Sequence, residues 1–317
     1  MVVHQMDLNS KALIGSLTKE VPPLLTVSSG DTIRFAVPDA AWGVGESYAE
    51  RKKPYARRDK LDRGHALIGP FFLEHAKRGM TLAIRFNRIV PGRYGFTSAG
   101  QYPNWQNQKL HLTDERELTL DWALDPEKME GSCQIDGATY SVPLRPFMGI
   151  VGMPPEETGI HSTWPPRFCG GNIDCKELVS GSTIFLPIPV DGAYLVIGDG
   201  HAAQGDGEVS CQAIECPMEE VEVTVDLLQD MHLTYPRANT PSGWLTFGFH
   251  EDLNEATVQA LDGMLGLMGQ LYGLNRVEAM AVGSAAIDLR ITQIVNGVKG
   301  VHACLPHGRI TKKTAAP

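Results

Sequence analysis

The residues with the most chemical capacity lie in VIGDGHAAQGDGEVSCQAIE, Val196 to Glu215, which crowds glycines, two aspartates, a histidine and two glutamates behind a strand-like apolar run. An imidazole and carboxylates near a strand end can hold a hard or borderline divalent cation with a coordination position left open. Either GDG triplet alone reads more readily as a hairpin turn, because glycine tolerates positive φ and aspartate bonds its own backbone. The spacing matches neither the EF-hand loop nor the His-Glu-x-x-His zinc helix. His201, together with Asp199, makes the segment a candidate cation site.

Three further segments carry usable groups. In RFCGGNIDCKE, Arg167 to Glu177, Gly170 and Gly171 let backbone N–H groups approach an anion or a developing oxyanion, while Asn172 and Asp174 add an amide and a carboxylate. A glycine-rich loop closed by an Asx turn explains the same residues without any ligand. Cys169 stands beside those glycines with no motif to supply a base, and free cysteines are more often packed and inert. Glu74 ends the apolar run FFL, where it either points to solvent or is buried with a raised pKa suited to a general base. Asp39, in FAVPDAAWG, either starts a turn or joins a site.

These residues need a scaffold, and the pattern predicts a mainly β one, a sandwich- or barrel-like body with a C-terminal α+β layer. Alternating runs at Thr32–Val37, Thr81–Val90, Glu117–Leu124, Ala193–Ile197 and Val221–Leu227 are separated by Gly, Pro and Asp clusters. After about residue 240 the period changes. Leu253, Val258, Leu261, Met264, Leu265, Met268, Leu271 and Tyr272 form a helical stripe, and Asn275 with Glu278 has the spacing of a capping box. Strands at Trp244–Phe249 and Asp288–Val295 bracket the helices. The expected organisation is a β-rich body over 1–240, an α+β layer over 241–307 and a disordered tail over 308–317. LRPFMGIVGMPP reads as a buried strand running into a proline turn.

A formal net charge of −9 and no basic run longer than RKK exclude a nucleic-acid or anionic-membrane footprint. No stretch has the ~18 uninterrupted apolar residues of a membrane span, and no secretory leader is apparent, so a cytoplasmic protein is expected. Six cysteines without a CxxC pair are expected as free thiols.

Taken together and in order, FAVPDA, GPFFLEHA, LRPFMGIVGMPP, CGGNIDCKEL, GSTIFLPIPVDGAYLVIGDGHAAQGDGEVSCQAIE and DLRITQIVNGVKGVHACLP resemble the acetamidase/formamidase family from about Thr32 to His307. The resemblance implies hydrolysis of short aliphatic amides, such as formamide or acetamide, to the carboxylate and ammonia. It also implies a bound divalent metal, zinc ahead of calcium, and a cytoplasmic homo-oligomer, dimer or higher, acting on a small amide. On that basis Asp39, Asp174, Asp199 and His201 are expected as metal ligands and Glu74 as general base. Gly170, Gly171 and Asn172 are expected around the oxyanion and substrate. Where the family usually has a glycine after that glutamate, this chain has His75. Other readings are a lactam-hydrolysing amidase, a metal-free amidase using Cys169 or a carboxylate–histidine pair, and a non-catalytic metal or small-ligand binding protein.

Overall fold

A computed structural model describes residues 1–313 as a mainly β protein built on three sheets. The largest has nine strands in the order Val3–Gln5, Thr32–Val37, Met218–Leu228, Thr81–Pro91, Thr183–Pro187, Arg237–Asn239, Gly243–His250, Lys299–Pro306 and Asp288–Gln293. Its two longest members, Thr81–Pro91 and Met218–Leu228, pair antiparallel with buried, β-branched and aromatic residues facing inward. A seven-stranded sheet packs against it, running Pro166–Arg167, Gly170–Asn172, Phe147–Gly152, Leu195–His201, Leu67–Leu73 and Leu13–Ile14, with Leu25–Val27 added alongside Leu67–Leu73. The core lies between the two, where Phe35 meets Phe71 at 6.3 Å between ring centroids. Tyr94–Ala99, Leu118–Asp125, Glu130–Ile135 and Ala138–Pro143 form a four-stranded meander beside them.

The C-terminal strands Gly243–His250, Asp288–Gln293 and Lys299–Pro306 form one end of the nine-stranded sheet, and the helix Leu253–Tyr272 lies across them. Asp252 caps this helix by accepting from the N–H groups of Asn254 and Glu255, and Gly273 ends it in the left-handed conformation at φ 71°. Ala256, Ala260, Met264 and Met268 supply its buried stripe. The second helix, Arg276–Gly283, starts with the expected capping box between Asn275 and Glu278. Lys312 Nζ donates to the Tyr272 carbonyl oxygen at 3.0 Å; residues 314–317 of the expected tail lie outside the described residues. Among the described residues no helix is long and apolar enough to cross a membrane, and the six cysteines are unpaired.

One local expectation fails in a useful way. The first GDG triplet is not a hairpin turn: Gly198, Asp199 and Gly200 continue the strand Leu195–His201. Two glycines are required there because a side chain on Gly198 would run into the Ala66 carbonyl oxygen, and one on Gly200 would come within 2.7 Å of the Cys216 carbonyl oxygen.

Candidate functional site

The strand Phe147–Gly152 is buried along its whole length and pairs with Gly170–Asn172 on one side and Leu195–His201 on the other. Register sets Phe147 opposite His201 and Ile150 opposite Asn172. Between them stands Gly149, whose missing side chain opens the site. A Cβ there would lie 2.6 Å from Asp174 Oδ1, 2.7 Å from Asp199 Oδ2 and 2.9 Å from His201 Cε1. Asp174 arrives from the adjacent strand, its N–H donating to the Gly149 carbonyl oxygen at 3.2 Å. Glu215 is held opposite His201 by an isolated bridge and by reciprocal backbone hydrogen bonds with Phe96. Glu208 comes from the second GDG turn.

These groups form two overlapping triads that share His201, one with Asp174 and Glu208 and one with Asp199 and Glu215. Within each triad the potential donor atoms lie within 4.8 Å of one another, and all five residues are buried. His201 Nδ1 lies 3.0 Å from Gln204 Oε1, an acceptor, so that nitrogen carries a proton in either charge state and Nε2 offers its lone pair only when a cation displaces its proton. Nε2 faces Asp199 Oδ1 and Glu215 Oε1, each at 3.4 Å. Gln204 is itself held by donating to the Asp174 carbonyl oxygen at 2.7 Å, and Asn296 donates to Asp174 Oδ2 at 2.6 Å.

The fit to a cation rests on what the acceptors lack. Asp174 Oδ1, Asp199 Oδ1, Glu208 Oε2, Glu215 Oε2 and Asn172 Oδ1 are all buried without a hydrogen-bond donor. Such atoms are costly unless something positive sits among them. The titration directions agree. Burial pushes the Asp174, Glu208 and Glu215 carboxyls above their ordinary range, while Asp199 is held down against its own burial by His201 and His65. Burial opposes the charged form of His201, yet Glu215 and Asp199 drive its pKa well up. One imidazolium cannot balance four carboxylates, and a divalent ion does so better. The backbone is also strained here: Asp174, Asp199 and Glu208 have φ of 53°, 61° and 48°, in the left-handed region.

A cavity of about 250 Å³ opens onto the cluster, lined by Asn172, Asp199, His201, Glu208 and Glu215, with Trp42, His65 and Trp164 among its walls. His65 Nδ1 is hydrogen-bonded to Thr163 Oγ1 at 2.7 Å, and its ring packs on Trp164 at 5.1 Å. Phe147 approaches the His201 ring edge-on at 5.0 Å.

Of the residues expected from the sequence, Asp174, Asp199, His201 and Asn172 come together here, and four do not. Asp39 is buried in a different set of contacts. Its carboxylate takes Arg51 Nε at 2.5 Å, Tyr94 Oη at 2.7 Å and the N–H groups of Ala41 and Gly43, which leaves it no capacity for an ion. Glu74 is exposed and accepts from Ser28 Oγ at 2.6 Å. Register puts Leu67 opposite Gly198, and Glu74 lies seven residues further along, roughly 20 Å away at ~3.3 Å per residue. Gly170 and Gly171 are paired to strands on both sides, with Gly152 pressed against them, so they close the sheet instead of cradling an oxyanion. Cys169 is buried against the Met153 carbonyl oxygen with its thiol pushed up to about 12 by burial, which removes it as a nucleophile. Glu208, Glu215 and Gly149 lie outside the set expected from the sequence, although both glutamates stand in the segment Val196 to Glu215.

Fold and cluster together define a β-sheet protein with a buried imidazole–carboxylate centre that could hold a cation beneath a small cavity. The profile of the Acetamidase/Formamidase family matches residues 156–307, a span that contains all five residues of the two triads. Over those residues the chain matches the acetamidase/formamidase family. The crystal structure of acetamidase from Bacillus halodurans is similar over 95% of this chain and 97% of that one, at 27% identity and a TM-score of 0.79. A Schizosaccharomyces pombe protein with a provisional formamidase name is 25% identical over 272 residues, and an acetamidase of Mycolicibacterium smegmatis is 42% identical over 97 residues. The first alignment takes in 67% of this chain and 65% of the relative, and the second takes in 27% and 24%.

Proposed function

We propose that this protein hydrolyses short aliphatic amides, of the formamide or acetamide kind, to the carboxylate and ammonia, and that it does so with a divalent cation, zinc ahead of calcium, held by the His201 cluster. The observation that carries this reading is the set of donorless carboxylate oxygens converging on His201 beneath a small cavity. Support also comes from the family match and from the names of the relatives.

His201 Nε2, Asp199 and Glu215 are the holding set, because Gln204 fixes the proton on Nδ1 and turns Nε2 toward both carboxylates. Asp174, steadied by Asn296, closes the other side. When bound, the cation supplies Lewis-acid polarisation of the amide carbonyl and makes water more acidic at the site. Glu208 takes the place first given to Glu74. Its Oε2 is buried and free, and burial beside Asp174 raises its pKa toward the range in which a carboxylate accepts a proton from water and returns it to a leaving amine. Asn172, in the cavity wall, orients the substrate amide in this reading. Trp42 and Trp164 narrow the cavity, which is smaller than the ~300–1,000 Å³ typical of drug-sized ligand sites. The same reading carries a cytoplasmic homo-oligomer, for which light scattering on the purified protein is the test.

The deciding experiment measures ammonia released from formamide, acetamide and a panel of lactams, before and after chelation and on metal return. Turnover of linear amides that falls with chelation and recovers with metal supports the reading. Bound metal without turnover of any amide would make this a binding protein, and turnover confined to lactams would move the substrate class.

A further inference from the structure

A second group of donor side chains lies outside the amide site, and its composition differs. Cys175, Glu177 and His302 are all buried, and a sulfur, a carboxylate oxygen and a ring nitrogen from the three lie within 4.8 Å of one another. Cys175 and Glu177 follow Asp174 in the chain, whereas His302 stands on the strand Lys299–Pro306 of the nine-stranded sheet. The three therefore join the loop that supplies the amide site to the C-terminal end of the large sheet.

We propose that Cys175, Glu177 and His302 form a second metal site, for a zinc-like ion distinct from the cation of the His201 cluster. Three core side chains that merely pack together would leave their polar atoms satisfied, and here one is not. His302 Nδ1 is occupied by Thr292 Oγ1 at 2.8 Å, which leaves Nε2 buried with no partner. A hydrogen bond on one ring nitrogen is the usual arrangement for orienting an imidazole whose other nitrogen binds a metal. With Nδ1 donating to the Thr292 hydroxyl oxygen, Nε2 is the nitrogen that presents its lone pair toward Cys175 and Glu177. Glu177 Oε1 is anchored by Arg290 Nη1 at 2.9 Å, while its Oε2 is approached only weakly by the Cys175 thiol at 3.9 Å.

The donor set decides the ion class. Thiolate, imidazole and carboxylate together suit a borderline-soft, four-coordinate cation with one position left over, whereas calcium and magnesium take oxygen donors. When the sulfur–metal bond forms, the thiol proton leaves to water. The thiolate then supplies one negative charge to the ion, and Glu177 shares its own between the ion and Arg290. This proposal uses no atom of the amide site, and only the Asp199→Asn arm of its test rests on the reading of that site as a zinc centre.

The test counts zinc per chain in the purified protein and in Cys175→Ser, His302→Gln and Asp199→Asn, with X-ray absorption on each. Wild type should show a sulfur neighbour at about 2.3 Å from part of its zinc. Cys175→Ser and His302→Gln should each lose one zinc and that sulfur signal, while Asp199→Asn loses the other zinc and keeps the signal. Cobalt loading gives an independent reading: the thiolate-to-cobalt absorption should vanish in Cys175→Ser and survive in Cys211→Ser, which alters the cysteine lining the amide cavity. A zinc count unchanged in Cys175→Ser would overturn the proposal, as would wild-type zinc with no sulfur neighbour. If Cys175→Ser fails to fold, the wild-type absorption spectrum and the Cys211→Ser cobalt spectrum decide the matter.

Discussion

Replacing Gly149 by alanine adds one methyl group at the point where three site residues meet. The new Cβ would stand 2.6 Å from Asp174 Oδ1, 2.7 Å from Asp199 Oδ2 and 2.9 Å from His201 Cε1. Relaxed contacts lie near ~3.5 Å, so these atoms must retreat by roughly 0.6–0.9 Å. None can do so freely: Asp174 is tied through Asn296, His201 through Gln204, and the strand carrying Gly149 is paired on both edges. Reactive groups need placement within about 0.5 Å, and a misplacement near 1 Å costs on the order of 10²-fold in rate. Gly149→Ala should therefore lower metal content and reduce amide turnover by about 10²-fold, while overpacking costs about 1–3 kcal/mol of stability. Gly266→Ala is the control. That glycine lies in the helix Leu253–Tyr272 with nothing within 4 Å of an added Cβ, so alanine there should stabilise by up to about 1 kcal/mol without changing turnover. Metal analysis, ammonia release and thermal melts on both variants make the assay. A folded Gly149→Ala protein with full metal content and near-wild-type turnover would refute the geometric reasoning.

Glu208→Gln removes a proton acceptor and keeps shape, so turnover should fall by roughly 10²–10⁴-fold while substrate binding is retained, whereas Glu74→Gln should be silent in steady-state kinetics. His75 is exposed at φ 63°, so His75→Gly should relieve backbone strain and raise the melting temperature slightly while leaving the ratio of kcat/KM for formamide and larger amides unchanged. A clear shift of that ratio would put His75 at the cavity. Burial raises the Asp31 carboxyl, but His4, Ser28 and Val2 outweigh it and hold its pKa below the ordinary 3.8. A depressed carboxylate stabilises above its unfolded pKa and loses that contribution as pH falls through the folded value, so Asp31→Asn should lower the melting temperature more at pH 7 than near pH 3. An equal loss at both values would contradict the linkage. Chelation should lower the melting temperature as well, by an amount equivalent to about 2.7 kcal/mol for a metal that had been present at a hundred times its dissociation constant.

The sequence made the strands and helices readable because their signals are local. Thr32–Val37 alternates as a half-buried strand should, and the Asn275–Glu278 capping box lies within four residues of chain. The motifs also named residues that the fold gathers, since Asp174, Asp199 and His201 share one cluster. What stayed hidden depends on pairing register and on close approach between segments. Glu74 follows an apolar strand, as a buried base would, yet that strand carries it away from Gly198 along the sheet. Asp39 has the right residue type, but Arg51, twelve positions on, and Tyr94 take its oxygens. Glu215 is brought to His201 only by a bridge across the meander strand that carries Phe96, and Gly149 matters through an absent side chain. Neither feature has a sequence period.

The most direct test compares the wild-type protein with Glu215→Gln, measuring metal per chain and ammonia release from acetamide on the same samples. Glu215 sits 3.4 Å from His201 Nε2, and its variant keeps size and hydrogen-bonding capacity while removing one charge from the holding set. The account predicts that the folded variant loses the cation of the His201 cluster and its turnover together, with partial recovery of both at high metal concentration. Full turnover in a variant depleted of that cation would contradict it.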